Sequence, residues 1–121
     1  MIDYSLDEQN SILTVRPTGS LEKADFDQLA KTLDPYIEKT GGLKGMLIDA
    51  PAFPGWKSFG DLVGHLRFVR DHHKYVKKIA IVTDSGVGTL AENVGAHFIA
   101  AEVRRFHSIE LDAAKEWILA P

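Results

Sequence analysis

The residues most suggestive of catalysis are glycines in the later part of the sequence. Gly86-Val87-Gly88-Thr89-Leu90-Ala91 matches the G-x-G-x-x-G/A pattern, in which backbone N–H groups at a helix N-terminus hold a pyrophosphate. That fingerprint belongs to a first strand–helix turn, whereas this match falls in the third predicted crossover. A glycine turn leading into a helix capped by Thr89, with Glu92 in a capping box, accounts for the same residues. A phosphate-binding enzyme acting through Gly86 to Thr89 is therefore the least favoured of three candidate functions.

Histidines suggest metal binding as a second chemistry. Asp61 and His65 lie four residues apart and His72 lies seven further on, a spacing compatible with one face of a helix. No second cluster of ligands accompanies them, so we predict that the histidines bind no metal. We expect His72, His73 and Lys74 to oppose the dipole of a helix C-terminus. They would belong to a solvated basic edge that includes Arg67, Arg70, Lys77 and Lys78.

Serine, histidine and aspartate are all present, but no serine lies in a G-x-S-x-G elbow. We therefore predict no catalytic residues, no cofactor and no enzymatic activity.

The most unusual segment is a cluster of aromatic side chains, with three in the seven residues from Phe53 to Phe59. It follows an apolar run predicted to be a central strand. Ligand sites in open α/β sheets form outside the carboxyl ends of strands, and loops carry function more often than cores do. The candidate binding residues are Phe53, Pro54, Gly55, Trp56, Lys57, Ser58 and Phe59.

These residues also have a purely structural interpretation. Pro54-Gly55 is a turn sequence, so Phe53 and Trp56 could fold back over the sheet edge. Ser58 with Asp61 three residues later resembles a helix-capping pair. On the binding interpretation, Phe53 and Trp56 are at least partly accessible, and Trp56→Ala weakens binding while leaving folding nearly intact.

Composition restricts the partners further. The chain has 121 residues, 14 basic against 17 acidic, and a formal charge of −3, which argues against nucleic acid or an anionic membrane as the main partner. It has no cysteine, so disulfides and thiolate chemistry are excluded. No apolar run approaches the roughly 18 residues that span a bilayer, and no signal peptide is recognisable. We expect a cytoplasmic protein.

Apolar periodicity predicts a single α/β domain over residues 1–121. A hairpin is followed by strands alternating with helices, which implies a mixed, mostly parallel sheet of about five strands with about four helices. We expect Leu47, Ile79, Ile81 and Val82 to be nearly inaccessible, and Pro35 to kink or break the first helix. The predicted strands are Ile2–Leu6, Ile12–Arg16, Leu43–Asp49, Ile79–Val82 and Val103–Phe106. Two of the predicted helices span residues 21–39 and 89–100. Between them lies a helix with the apolar stripe Phe59, Leu62, Val63, Leu66, Val69 and His73, and the last helix carries Leu111, Ala114, Trp117 and Ile118.

Several of these segments together resemble a known family. They are Leu47-Ile48-Asp49 before the Phe-Pro-Gly-Trp loop, the run from Phe68 to Asp84, Ala101 to Phe106, and Ala113 to Ile118. The chain resembles the SpoIIAA-like proteins, a bacterial group of STAS-like domains of unassigned role. The resemblance implies strand–helix turns wound as a superhelix, related to anti-sigma-factor antagonists and to CRAL-TRIO lipid-binding domains. In those antagonists a partner kinase phosphorylates a serine, whose topological counterpart here is Ser58.

Two functions are favoured over the phosphate-binding enzyme. The first is a non-enzymatic binding or regulatory domain that contacts another protein, or a second copy of itself, through Phe53 to Phe59. The second is a carrier of a small apolar or lipid-like ligand, with the same aromatic side chains lining a pocket. An exposed aromatic patch would favour the first function, an enclosed apolar pocket the second, and converging polar groups beside Gly86 the enzyme.

Overall fold

The fold is built on one five-stranded sheet. The computed structural model describes residues 1–86, 92 and 99–121. Its strands are β1 Ile2–Asp7, β2 Ile12–Pro17, β3 Leu43–Asp49, β4 Val76–Val82 and β5 Glu102–Phe106, arranged in that order. β1 pairs with β2 antiparallel, and all other neighbouring pairs are parallel. The predicted α/β class and mixed, mostly parallel sheet are therefore confirmed.

The described residues contain three α-helices, where about four were expected. They are α1 Lys23–Thr40, α2 Phe59–His72 and α3 Leu111–Leu119, with short 3₁₀ turns at His73–Tyr75 and Ser108–Glu110. The helix predicted over residues 89–100, with its Thr89 cap, lies largely outside the described residues. None of the described helices has the length and apolar character needed to cross a membrane.

Helix α1 continues through Pro35. Of the kink or break predicted near Leu33-Asp34, the break is therefore wrong. Leu33 and Tyr36, on either side of the proline, are buried in the same apolar cluster. Lys31, whose carbonyl loses its partner N–H to the proline, is exposed and can bond to water instead. Tertiary packing therefore outweighs the missing hydrogen bond. The helix ends at Gly41, whose φ of 89° favours glycine.

The sheet separates two apolar clusters. One contains residues of α1, α2 and strands β2 to β4, and the other joins residues of strands β2 to β5 to α3. Leu47 and Val82 are fully buried in the second cluster, as expected. Ile79 and Ile81 are half-buried instead. They point to the opposite face of β4 from Ala80 and Val82, where Ile79 packs against the first cluster.

Helix α2 packs on α1 through a face that the apolar pattern did not predict. Its buried residues are Gly64, Phe68 and His72. The absence of a side chain at Gly64 permits the close approach, since a Cβ there would lie 2.9 Å from Cγ of Lys23. The predicted stripe is therefore not the core face, and Phe59 and Leu66 are 79% and 60% exposed.

Gly45 provides a test of the packing between β3 and α3. A Cβ at Gly45 would overlap Cγ2 of Ile118, so Gly45→Ala should lower the free energy of unfolding by about 1–3 kcal/mol. Gly60→Ala is the control, because its Cβ would meet Ser58 Oγ at an ordinary 3.6 Å. It should stabilise the helix by up to about 1 kcal/mol.

Urea unfolding measures both effects. Combining Gly45→Ala with Ile118→Ala should cost less than the sum of the two single changes, because the overlap is removed. A Gly45→Ala protein as stable as wild type would contradict this packing.

Candidate functional site

The candidate site lies where the parallel strands β2 and β3 end. The segment after β2 and the segment after β3 form a parallel bridge between Leu21 and Trp56. Leu21 N–H donates to the Gly55 carbonyl at 2.8 Å, and Lys57 N–H donates to the Leu21 carbonyl at 3.0 Å. The aromatic loop, Phe53–Phe59, is therefore held against the start of α1 by backbone hydrogen bonds.

Asp61 joins the N-termini of the two helices. Its Oδ1 accepts a hydrogen bond from Lys23 N–H at 2.7 Å, and its Oδ2 accepts one from Ser58 Oγ at 2.6 Å. Ser58 in turn caps α2 by accepting from Asp61 N–H at 3.3 Å, as the sequence predicted. The pKa of Asp61 is lowered, chiefly by the Ser58 bond and also by the Lys23 bond. A carboxylate is well suited to this position because both helix N-termini carry partial positive charge.

Phe53 and Trp56 are packed against the core as well as partly exposed. Their rings meet edge-on with centroids 4.9 Å apart, and both contact the α1–α2 apolar cluster. The indole N–H of Trp56 donates to His65 Nδ1 at 3.1 Å. Trp56→Ala is therefore expected to reduce folding stability, unlike the expectation from sequence.

His65 is a structural residue within this aromatic cluster. Its ring stacks on Phe26 with centroids 4.4 Å apart. Because Nδ1 accepts the hydrogen bond from Trp56, the proton of the neutral ring must be on Nε2. Burial lowers the pKa of His65 from 6.5 to about 4, since desolvation disfavours the charged ring.

The seven predicted binding residues occur together but differ in accessibility. Lys57, Ser58 and Phe59 are exposed, whereas the remaining four are half-buried: Phe53, Pro54, Gly55 and Trp56. Lys57 pairs with Glu22 at 3.2 Å. The most accessible aromatic side chain of the loop is Phe59.

The histidines proposed as metal ligands are engaged elsewhere. His72 is buried between α1 and α2, with Nε2 2.6 Å from Asp34 Oδ1 and Nδ1 2.7 Å from the Phe68 carbonyl. The prediction that His72 belongs to a solvated edge is therefore wrong. Within the described ranges, no three His, Asp or Glu side chains are grouped to hold a metal ion.

Polar groups also meet where β4 and β5 end. Ser108 Oγ donates to Asp84 Oδ2 at 2.5 Å, and His107 Nδ1 lies 3.7 Å from Asp84 Oδ1. The serine thus bonds to the carboxylate instead of the imidazole, which is the wrong order for a catalytic triad. The pKa of Asp84 is lowered, chiefly by the Ser108 hydroxyl. The neighbouring glycine motif from Val87 onwards lies outside the described residues.

Two open grooves lie beside α1, away from the aromatic loop. The first measures about 350 Å³ and is lined by Asp34, Ile37, Glu38, Gly41, Asp71, His72 and Tyr75. The second measures about 360 Å³ and is lined by Leu6, Glu8, Thr32, Pro35, Tyr36 and Lys39. Neither groove is an enclosed apolar pocket.

Sequence reasoning did not find the residues that hold the loop. Leu21 and Lys23 bond through backbone atoms, which leave no side-chain pattern. The spacing of His65 from Asp61 and His72 suggests only a metal ligand and gives no sign of its hydrogen bond to Trp56. The spacing of Ser58 and Asp61 was a usable signal. It identified the contact of Asp61 with Ser58 but not the contact with Lys23.

Comparisons with known proteins agree on the fold. A family model described as SpoIIAA-like matches residues 12–119. A solved structure of an uncharacterised protein with a SpoIIAA-like fold, from Shewanella loihica PV-4, aligns with a TM-score of 0.74 and 22% identity. The alignment covers 98% of this chain and 92% of that one, and at this identity the likeness concerns the fold alone. No curated protein sequence matches the chain.

The half-buried His65, whose ring packs against Phe26 and Trp56, predicts a pH dependence of stability. Its pKa is lower in the folded chain than in the unfolded chain. The contribution of the neutral ring to the free energy of unfolding is therefore complete above about pH 6.5 and is lost as the pH falls towards 4. Wild type should therefore lose on the order of 2–3 kcal/mol more than His65→Phe between neutral pH and pH 4.5.

Urea unfolding at several pH values in this range measures how steeply the free energy of unfolding changes with pH in each protein. His107→Gln is the control, because His107 is exposed, and it should keep the wild-type slope. Equal slopes for wild type and His65→Phe would show that His65 is not held neutral by burial.

Proposed function

The chain belongs to the SpoIIAA-like family, and we propose that it is a non-enzymatic binding or regulatory domain acting through the aromatic loop. The observation that carries the proposal is Phe59, which is 79% exposed on a loop that is otherwise tied to the fold. A large aromatic side chain that contributes little to the core is available to a partner. Aromatic residues dominate the energetics of many interfaces because they provide large contact areas at small entropic cost.

The order of the loop supports the same proposal. Its backbone is fixed by Leu21 at Gly55 and Lys57, and its end is fixed by Ser58 and Asp61. A loop that is ordered before binding loses little conformational entropy when a partner arrives. Within the loop, the rings of Phe53 and Trp56 are half-buried and that of Phe59 is exposed.

The alternative function, a carrier of a small apolar ligand, has less support. A carrier needs a concave, mostly apolar cavity. The two grooves beside α1 are open, and carboxylate side chains contribute to each of them. The likeness to lipid-binding domains remains one of fold.

A phosphoswitch at Ser58 is not part of the proposal. The Ser58 hydroxyl bonds to the Asp61 carboxylate at 2.6 Å. A phosphoryl group there would lose this bond and lie against a negative charge, although the helix N-terminus would favour it.

Substitution of Phe59 tests the proposed function. Immobilised wild-type protein and immobilised Phe59→Ala are exposed to the same bacterial lysate, and retained proteins are quantified by mass spectrometry. We expect Phe59→Ala to lose a partner by about tenfold or more, with an unchanged melting temperature.

Ile109→Ala is the control, because Ile109 is 94% exposed but lies in the 3₁₀ turn before α3. It should retain what wild type retains. Native mass spectrometry of the purified protein completes the test, since a bound small molecule would favour the carrier. Identical retention by all three proteins would contradict a role for the loop.

A further inference from the structure

Both ring nitrogens of His72 face hydrogen-bond acceptors. Nδ1 lies 2.7 Å from the carbonyl oxygen of Phe68, and Nε2 lies 2.6 Å from Oδ1 of Asp34. Carbonyl and carboxylate oxygens only accept hydrogen bonds, whereas a neutral imidazole has one donor and one acceptor. Both contacts are therefore made together when the His72 ring carries two protons and a positive charge.

The surroundings of His72 suit a charged ring. Its side chain is only 10% exposed, so a charge there needs a partner, and the Asp34 carboxylate is that partner. His72 is in the last turn of α2, where the helix dipole favours a cation. Its ring also stacks on that of Phe68, with centroids 4.2 Å apart, and the face of an aromatic ring attracts a cation.

The neighbouring charges act in the same direction. The pKa of Asp71 is lowered, chiefly by Arg70, and the charges of His72 and Arg67 contribute. Titratable groups from α1, from α2 and from the 3₁₀ turn after it line one groove at this end of α2: Asp34, Glu38, Asp71, His72 and Tyr75. Carboxylates from both helices thus surround the imidazole, and they favour its charged form.

His65, about two turns earlier on α2, has the opposite requirement. Its Nδ1 accepts the indole N–H of Trp56 at 3.1 Å, and its ring stacks on Phe26 of α1. A proton on Nδ1 would remove this acceptor, so the hydrogen bond needs the neutral ring. The contact of α2 with α1 therefore contains one histidine that must be neutral and one that must be charged.

We propose that these two histidines make the packing of α2 on α1 a pH-sensitive device, complete only while His65 is neutral and His72 is charged. Acid protonates His65 and breaks its bond to Trp56. Alkali removes a proton from His72 and turns a lone pair of its ring towards the Asp34 carboxylate. The other end of α2 is held by the bond from Lys23 N–H to Asp61, so alkali loosens the C-terminal end. This device is independent of any partner of the aromatic loop.

NMR of the ¹⁵N-labelled protein counts the protons on each ring directly. At about pH 6, where a histidine can still be charged, the nitrogen chemical shifts of wild type should show two protons on His72. They should show one proton on His65, at Nε2. A single proton on His72 at this pH would overturn the proposal.

Urea unfolding tests the role of the carboxylate. Asp34→Asn removes the charge and keeps the size of the side chain. At about pH 6 its unfolding equilibrium constant should exceed that of wild type by about tenfold. The ratio should fall to about one or below as the pH rises beyond about 6.5, because the charge of His72 is then lost. The matched control is Glu38→Gln, which removes another carboxylate of α1 from the same groove and should stay within about threefold of wild type throughout.

The remaining outcomes also decide the matter. A ratio for Asp34→Asn that does not change with pH, or the same change in Glu38→Gln, would contradict a specific contact with His72. His65→Phe should differ from wild type in its pH dependence only below about pH 6.5. A difference on the alkaline side would show that the two histidines do not act in opposite directions. If Asp34→Asn does not fold, the proton count in wild type decides alone.

Discussion

The carboxylate of Asp61 connects the two helices and the loop on which the candidate site depends. One oxygen accepts from the first N–H of α1, and the other accepts from the serine that caps α2. The N-termini of helices carry unpaired N–H groups and partial positive charge. The Asp61 carboxylate accepts from the Lys23 N–H of α1 directly, and it orients the Ser58 hydroxyl that accepts from the Asp61 N–H of α2. This contact fixes where α2 begins relative to α1. It thereby fixes the position of Phe59, the first residue of α2.

The position of α2 has a further consequence for its surface. Close contact with α1 uses Gly64, which has no side chain. Phe68 packs on Phe26 across the interface, and His72 bonds to Asp34. The larger aliphatic residues are left on other sides of the helix. An apolar stripe can therefore be a surface feature even where it looks like a core face. Exposed apolar surface of this kind is a recognised mark of interaction sites.

The sequence was informative about strands and less so about side-chain partners. Unbroken apolar runs such as Met46-Leu47-Ile48 identify strands covered on both sides, and the order of elements then determines the sheet. The location of the aromatic loop after β3 follows from the same reasoning. Whether Trp56 binds a partner or His65 depends on which helix face turns inward. The sequence predicted the wrong face of α2. Helix periodicity shows where apolar residues cluster, but it does not show that the close approach of α1 requires a small residue such as Gly64. The break predicted at Pro35 failed for a similar reason. The burial of Leu33 and Tyr36, on either side of the proline, stabilises α1 across it.

The Leu21–Trp56 bridge presents the candidate site, and Asp61 holds this bridge in place. Amide hydrogen exchange, followed by NMR, measures this directly at the N–H groups of Leu21 and Lys57, whose acceptors are the Gly55 and Leu21 carbonyls. Both amides should be protected in wild type, and Asp61→Ala should accelerate their exchange while leaving the central-strand residue Leu47 protected. Unprotected Leu21 and Lys57 amides in wild type, or unchanged exchange in Asp61→Ala, would contradict the account.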